Sequence, residues 1–279
     1  MDPAGGRGGQ MEQRITKEMC RSLEQHGYRE PIFLGKGSFS EVYRVRNREG
    51  HLWACKIAKA LEVWEKECRN SREISHPLFP AYREHWTDKD RGYLVIEYWE
   101  GMDLREILDR QGRLPVERAV EIAGQIAEGL QYLHERPHPF LYRDLKPENI
   151  RIRADGRAGI LDLGCLWNRE QDWSGAGNYS YSAPEQFVPG ELPGEESDVY
   201  AMGKILAAML GEERDGGKNV QEKWLRRVIA MATSEERKER IPDMKTLRKL
   251  LAAVNASGRG RRRACRAADF YYIRKLYCP

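Results

Sequence analysis

Four short strings carry residue types suited to chemistry on phosphate groups. In Tyr142-Arg143-Asp144-Leu145-Lys146-Pro147-Glu148-Asn149 an acid, a base and an amide lie within six residues. Pro147 keeps this segment from being a regular helix. Such a loop can place a carboxylate near a hydroxyl, an ammonium near a phosphoryl group and an amide oxygen on a metal. The alternative is a charged surface loop. Phe140-Leu141 before it and Ile150 and Ile152 after it argue for buried flanks instead.

Ile160-Leu161-Asp162-Leu163-Gly164 sets one carboxylate at the end of an apolar strand, which suits a hard cation such as Mg2+. A plain strand-ending turn has the same look. Leu34-Gly35-Lys36-Gly37-Ser38-Phe39-Ser40-Glu41-Val42 puts two glycines at a strand end, where backbone N–H groups can approach phosphate oxygens. A simple hairpin turn also fits. Trp53-Ala54-Cys55-Lys56-Ile57 holds a Lys within an apolar strand, which is rarely buried without a partner. The partner should be a Glu on the helix that follows. Glu67 shares a face with Val63 and Ile74, whereas Glu65 groups with Leu61 and Cys68, so Glu67 is the better choice. An edge-strand Lys facing water is the alternative.

Elements must position these strings. Ile32–Leu34, Glu41–Arg46, Leu52–Ile57 and Tyr93–Glu97 read as strands, with a turn at Asn47–Gly50. Leu61–Ile74 reads as one helix among them. Beyond Gly101 the apolar period lengthens: Val116, Val120, Ala123, Ala127, Leu130 and Leu133 form a helical stripe opened by Pro115. Ser197–Leu210 and Met244–Val254 repeat that pattern. A strand-rich first third and a helix-rich remainder predict two lobes, with a boundary near Trp99–Gly101. Residues 1–10 are Gly-rich and read as a flexible leader, and residues 11–26 as a short helix.

The composition excludes several classes. Among 279 residues, 41% are hydrophobic and 32% charged, which suits a globular chain and not a disordered one. No apolar run is long enough to span a bilayer, and Met1–Arg7 lacks the apolar stretch of a secretory signal. The cysteines at 20, 55, 68, 165, 265 and 278 include no CxxC pair, which argues against a zinc site. They read as reduced thiols of a cytoplasmic protein. Net charge is +4, yet residues 259–279 hold seven Arg or Lys against Asp269, so the body is not a basic nucleic-acid binder. The tail mixes Arg with Phe270, Tyr271, Tyr272 and Tyr277. Nucleic-acid stacking or an anionic membrane surface would suit it, but a solvated tail docking its aromatics on the body is favoured.

The order of the strings, with Ala183-Pro184-Glu185, Asp198 and Arg240 after them, resembles the eukaryotic-like (Hanks-type) serine/threonine protein kinases over roughly Tyr28 to Val254. Ala183-Pro184-Glu185-Gln186 is similar to bacterial members. The resemblance implies an α+β, bilobal protein kinase fold: a small antiparallel sheet with one helix (28–98), a larger helical lobe (99–256) and a tail (257–279). It implies transfer of the γ-phosphoryl group of ATP, with Mg2+ or Mn2+, to a protein Ser or Thr, the chain itself included. Asp144 would take the acceptor proton, and Lys146 would contact the moving phosphoryl group. Asn149 and Asp162 would hold the metal. Lys56, paired with Glu67, would hold the α- and β-phosphates. Leu34, Gly35, Gly37 and Ser38 would close over the triphosphate, with Val42 and Ala54 above the adenine. Glu97 and Trp99 would form the hinge, Asp103 would lie near the ribose, and Arg151 beneath the base. Glu185 and Arg240 would form a buried ion pair.

Some positions depart from the family pattern. Tyr142 stands for His, Leu163 for Phe and Asn178 for Thr. Glu67 follows Lys56 by only eleven residues, and Ser71 sits where an apolar residue is expected. Arg151 replaces an apolar residue; its guanidinium can stack on the base or weaken nucleotide binding. These departures motivate a second reading, a pseudokinase scaffold, and a third, a kinase of small metabolites. A regulatory phosphate is expected at Ser174 with Arg143 as its partner. A short unmodified loop ordered by Trp167 and Trp173 is the alternative.

Overall fold

A computed structural model describes residues 15–169, 178–211 and 220–258. The expectations for the leader, for Ser174 and Trp173, and for the aromatic tail lie outside the described residues. Those described divide into two compact units: residues up to Arg69 with Tyr82–Tyr98, and Asn70–Ala81 with residues from Trp99 on.

The first unit is built on one antiparallel sheet. Its strands are β1 (Arg29–Lys36), β2 (Ser40–Arg46), β3 (Leu52–Ala58), β4 (Tyr82–Asp88) and β5 (Arg91–Glu97), in the order β1-β2-β3-β5-β4. Both faces of β3 are covered. Cys55 and Ile57 pack with Met19, Leu23, Tyr43 and Tyr93, while Ala54 and Ala58 pack with Trp64, Cys68, Leu94 and Ile96. Two helices supply the cover. The helix α1 (Lys17–Gln25), capped by Thr16, gives Met19 and Leu23. It is pinned by Trp86, whose Nε1 donates to Ser22 Oγ at 3.1 Å and whose ring stacks on His26. The helix α2 (Leu61–Glu73) gives Trp64 and Cys68. Trp64 lies directly over Gly92 of β5, where a Cβ would come within 2.3 Å of the indole. α2 can sit this low on the sheet only because position 92 has no side chain.

The second unit is helical around α5 (Glu195–Leu210), whose Val199, Met202, Ile205, Leu206 and Met209 are wholly buried. Packed on it are α4 (Val116–His134), α6 (Val220–Ala232) and α7 (Met244–Gly258). A small sheet of β6 (Gly101–Asp103), β7 (Ile150–Arg153) and β8 (Ala158–Ile160) precedes Asp162, and α3 (Leu104–Gln111) follows β6. No helix among the described residues is long and apolar enough to cross a membrane.

The structure adds elements to the sequence reading. β4 reads Tyr-Arg-Glu-His-Trp-Thr-Asp and pairs only with β5. As an edge strand with a wet side it carries no apolar run. β6, β7 and α3 are short, and α6 opens directly after residues 212–219, outside the described set. α2 stops at Glu73, one residue before the expected Ile74.

A 3-10 turn at Pro184–Phe187 is tethered to the helical unit by a buried ion pair. Arg240 Nη1 donates to Glu185 Oε1 at 2.6 Å and Nη2 to Oε2 at 3.2 Å, and Ser197 Oγ donates to the same carboxylate at 2.7 Å. Removing one side strands a buried charge, at about 3–5 kcal/mol. Arg240→Ala should therefore lower the unfolding free energy by that amount and move the urea midpoint to lower denaturant. A midpoint equal to wild type contradicts it.

Candidate active site

In the first unit, Lys56 of β3 points toward α2 and donates through Nζ to Glu67 Oε1. Both side chains are buried, so each charge has lost its water and depends on the other. The register of β2 and β3 sets Val42 opposite Lys56, and that of β3 and β5 sets Ala54 opposite Ile96. Gly35 lies in β1 opposite Val42 of β2, and Gly37 and Ser38 follow in the β1–β2 turn, closed by Gly37 N–H to Ser40 O at 2.8 Å. Neither glycine has a left-handed backbone, and a Cβ on Gly35 would meet nothing within 4 Å. The protein's own packing does not require glycine at 35; its absent side chain leaves room for something outside the strand. Leu34 is exposed, and Glu97 ends β5 exposed.

The second unit carries the acid–base loop. Lys146 Nζ donates to Asp144 Oδ2 at 2.6 Å, and Asn149 Nδ2 donates to Asp144 O at 2.9 Å. Leu161 N–H donates to Asn149 O at 2.9 Å, which brings Asp162, the next residue, beside the loop. Asp162 Oδ1 accepts from Gly164 N–H at 2.9 Å. Burial would lower the Lys146 pKa, but the hydrogen bond to Asp144 and the charges of Asp144 and Asp162 outweigh it and hold the ammonium above its usual value. Burial, with the same two carboxylates, pushes the Cys165 thiol up to about 11, which disfavours the thiolate.

The loop hangs on one strained residue. Arg143 has φ +68°, rare for a side chain this large, and Asp144 N–H donates to Tyr142 O at 2.9 Å across it. This is the i to i+2 bond of a γ-turn, a conformation that costs on the order of 1–3 kcal/mol. Asp198 at the start of α5 offsets that cost. Its Oδ2 accepts from Tyr142 N–H at 2.8 Å and its Oδ1 from Arg143 N–H at 2.9 Å. His134, the last residue of α4, donates to the same carboxylate from Nε2 at 2.8 Å. Arg143 O accepts from Ser182 Oγ and Gln186 Nε2, both at 3.2 Å, and Arg143 Nε donates to Cys165 O at 2.8 Å.

Trp99, Asp103 and Arg151 also meet in this unit. Trp99 is buried against Gly159 and the Arg153 guanidinium, which lies 3.5 Å from its ring centroid. Arg151 Nε donates to Trp99 O at 3.2 Å, and β6 pairs Asp103 with Arg151. Burial, outweighing the nearby Arg151 and a backbone N–H, raises the Asp103 carboxyl. The structure thus groups Lys56, Glu67, Val42 and Ala54 in one unit, and Asp144, Lys146, Asn149, Asp162, Trp99, Asp103 and Arg151 in the other.

Two contributors carry little signal in the sequence. His134 continues the α4 stripe four residues after Leu130, where a lone polar residue signals a buried partner. Asn70, three residues after Glu67, donates from Nδ2 to Leu163 O at 2.8 Å, with both residues buried. A polar residue on a buried helix face was its only signal.

The protein kinase domain family matches residues 28–267. The chain is 31% identical over 250 residues to the serine/threonine-protein kinase TOUSLED of Arabidopsis thaliana, covering 76% of this chain and 36% of that protein. It is 29% identical over 191 residues to a probable serine/threonine-protein kinase of Clostridium perfringens, covering 63% and 27%. Against the human serine/threonine-protein kinase tousled-like 1 the identity is 32% over 216 residues, covering 67% and 28%. The chain spans about a third or less of the length of these relatives.

The His134 cluster predicts a pH effect on stability. Burial alone would lower its pKa, but the bond to Asp198 and the Glu195 carboxylate 3.6 Å away raise it from 6.5 to about 9. A raised histidine stabilises fully below its unfolded value and loses that contribution as pH climbs through the folded one. The contribution is on the order of 3 kcal/mol. Unfolding free energy should fall between neutral pH and pH above 9 in wild type, and less steeply in His134→Asn. Urea melts across that range with equal slopes would contradict this.

Proposed function

We propose a function from one premise: this chain belongs to the protein kinase family. It transfers the γ-phosphoryl group of ATP to a Ser or Thr hydroxyl of a protein, itself included. The carrying observation is the loop in which Lys146 and Asn149 both bond Asp144. The relatives, named serine/threonine kinases, support Ser or Thr as acceptor.

The transition state of this transfer is loose, so positioning and charge neutralisation dominate. Asp144 orients the acceptor hydroxyl and takes its proton onto a carboxylate oxygen. Lys146 stays charged at neutral pH, because the carboxylates beside it raise its pKa, and it neutralises the moving phosphoryl group. Lys56, fixed by Glu67, presents its ammonium to the α- and β-phosphates. Leu34, Gly35, Gly37 and Ser38 cover the triphosphate, and the space at Gly35 suits that approach.

Val42 and Ala54 offer apolar contact to the base, with Glu97 and Trp99 along its edge. Asp103 meets the ribose, and Arg151 lies against the base with its plane tied to the Trp99 carbonyl.

Asn149 and Asp162 supply one amide oxygen and one carboxylate. Among the described residues no three His, Cys, Asp or Glu side chains gather into a metal cage. These oxygen donors suit a hard cation, so Asn149 and Asp162 would hold Mg2+, or Mn2+, which shares the preference. When bound, the ion neutralises phosphate charge. A cytoplasmic setting suits Cys20, Cys55, Cys68 and Cys165, none of which forms a disulfide.

Incubation with ATP and Mg2+, followed by mass spectrometry, tests the reading. Wild type should carry phosphoserine or phosphothreonine. Asp144→Asn should incorporate it roughly 10²–10⁴-fold more slowly, and Lys56→Met should also fail. Equal incorporation by Asp144→Asn, or none by wild type on itself or a general protein substrate, would refute the proposal.

A further inference from the structure

Outside the machinery just described, one guanidinium ties together three segments around the loop that carries Asp144. Arg105, in the first turn of α3, donates from Nε to Glu148 Oε1 at 2.9 Å and from Nη2 to the Tyr181 hydroxyl at 2.9 Å. Glu148 sits in the 3-10 turn Pro147–Asn149, four residues after Asp144. Tyr181 belongs to the segment whose Ser182 holds Arg143 O. On the same segment Tyr179 is 84% exposed and stacks on Phe187 with centroids 4.2 Å apart.

A protein acceptor must bring its hydroxyl to Asp144, so the residues flanking it pass over this surface. Glu148 is an exposed carboxylate on that path and, alone, would reward a basic flanking residue. Here Arg105 already answers its charge. The Arg105–Glu148 pair is partly exposed, with 39% and 45% of the two side chains accessible. Exposed pairs add little to stability, so a folding role is a weak account of it. Two of the five guanidinium N–H donors are engaged by Glu148 and Tyr181. The remainder favour an acidic or neutral neighbour.

We propose that Arg105 is a specificity-determining residue for the acceptor: by neutralising Glu148 it turns the enzyme away from sequences with Arg or Lys beside the target hydroxyl. The inference rests on the kinase reading above. It identifies the substrate class as protein segments with neutral or acidic residues flanking Ser or Thr. With Arg105 removed, Glu148 becomes available to a basic flanking residue of the acceptor.

The test uses Ser-centred peptides in which each flanking position in turn holds Ala, Glu or Arg. Rates are measured with wild type, Arg105→Ala, Arg105→Met and the double variant Arg105→Ala/Glu148→Gln. Wild type should rank Arg peptides below Ala and Glu peptides. Arg105→Ala should raise the relative rate on Arg peptides about fivefold at one or two positions, the size expected of a single exposed ion pair. Arg105→Met, which keeps the stem, should do the same. The double variant should lose the gain.

An unchanged ranking in both single variants overturns the proposal, as does a gain that survives in the double variant. A purely bracing Arg105 would lower all rates together and leave the ranking intact. Anisotropy titrations of the same labelled peptides read the preference without turnover. A shifted binding preference in an inactive wild type would count against phosphoryl transfer and not against Arg105. Active wild type without the shift would count against Arg105 alone.

Discussion

The carboxylate of Asp198 holds the geometry on which the proposed chemistry depends. It accepts two successive backbone N–H groups, those of Tyr142 and Arg143, and a third donor from His134. A left-handed Arg143 would relax in a free loop. Fixed from below by Asp198 and from above by Ser182 and Gln186, it turns the chain so that Asp144, Lys146 and Asn149 face one another. The strain sits at the site, and the largest core among the described residues supports it, because α4 and α5, which line that core, carry His134 and Asp198.

The first unit solves a different problem, that of keeping a lysine charged and still inside an apolar sheet. Lys56 and Glu67 each bear a desolvation cost that their mutual bond helps to offset. Their meeting depends on where α2 lies, which Trp64 on Gly92 sets. β3 cannot shift in response, because α1 and the His26–Trp86 stack cover its other face. The short spacing between Lys56 and Glu67 is accommodated because α2 starts three residues after β3 ends.

Much of the candidate site was legible because its polar groups cluster in sequence where one loop supplies them. Tyr142 to Asn149 declares its acid, base and amide within eight residues, and Asp162 ends an apolar strand. Glu67 was separable from Glu65 by helix periodicity alone. What stayed hidden was set by tertiary partners. Nothing local marks Asp198 as the holder of a γ-turn more than fifty residues earlier, or His134 as its third donor. No local signal singles out Arg105; its partners Glu148 and Tyr181 come from distant segments. β4 was illegible for a related reason, since an edge strand owes its conformation to its one neighbour and not to its own composition.

The account stands or falls on whether Asp198 poises Asp144. The direct measurement is the single-turnover transfer rate of Asp198→Asn, beside its ATP affinity, at a temperature where the variant is shown to be folded. Losing the anion that holds Arg143 should slow transfer on the order of 10- to 100-fold, the equivalent of the released strain, with ATP affinity within about twofold. A folded Asp198→Asn that transfers phosphate at the wild-type rate would contradict the account.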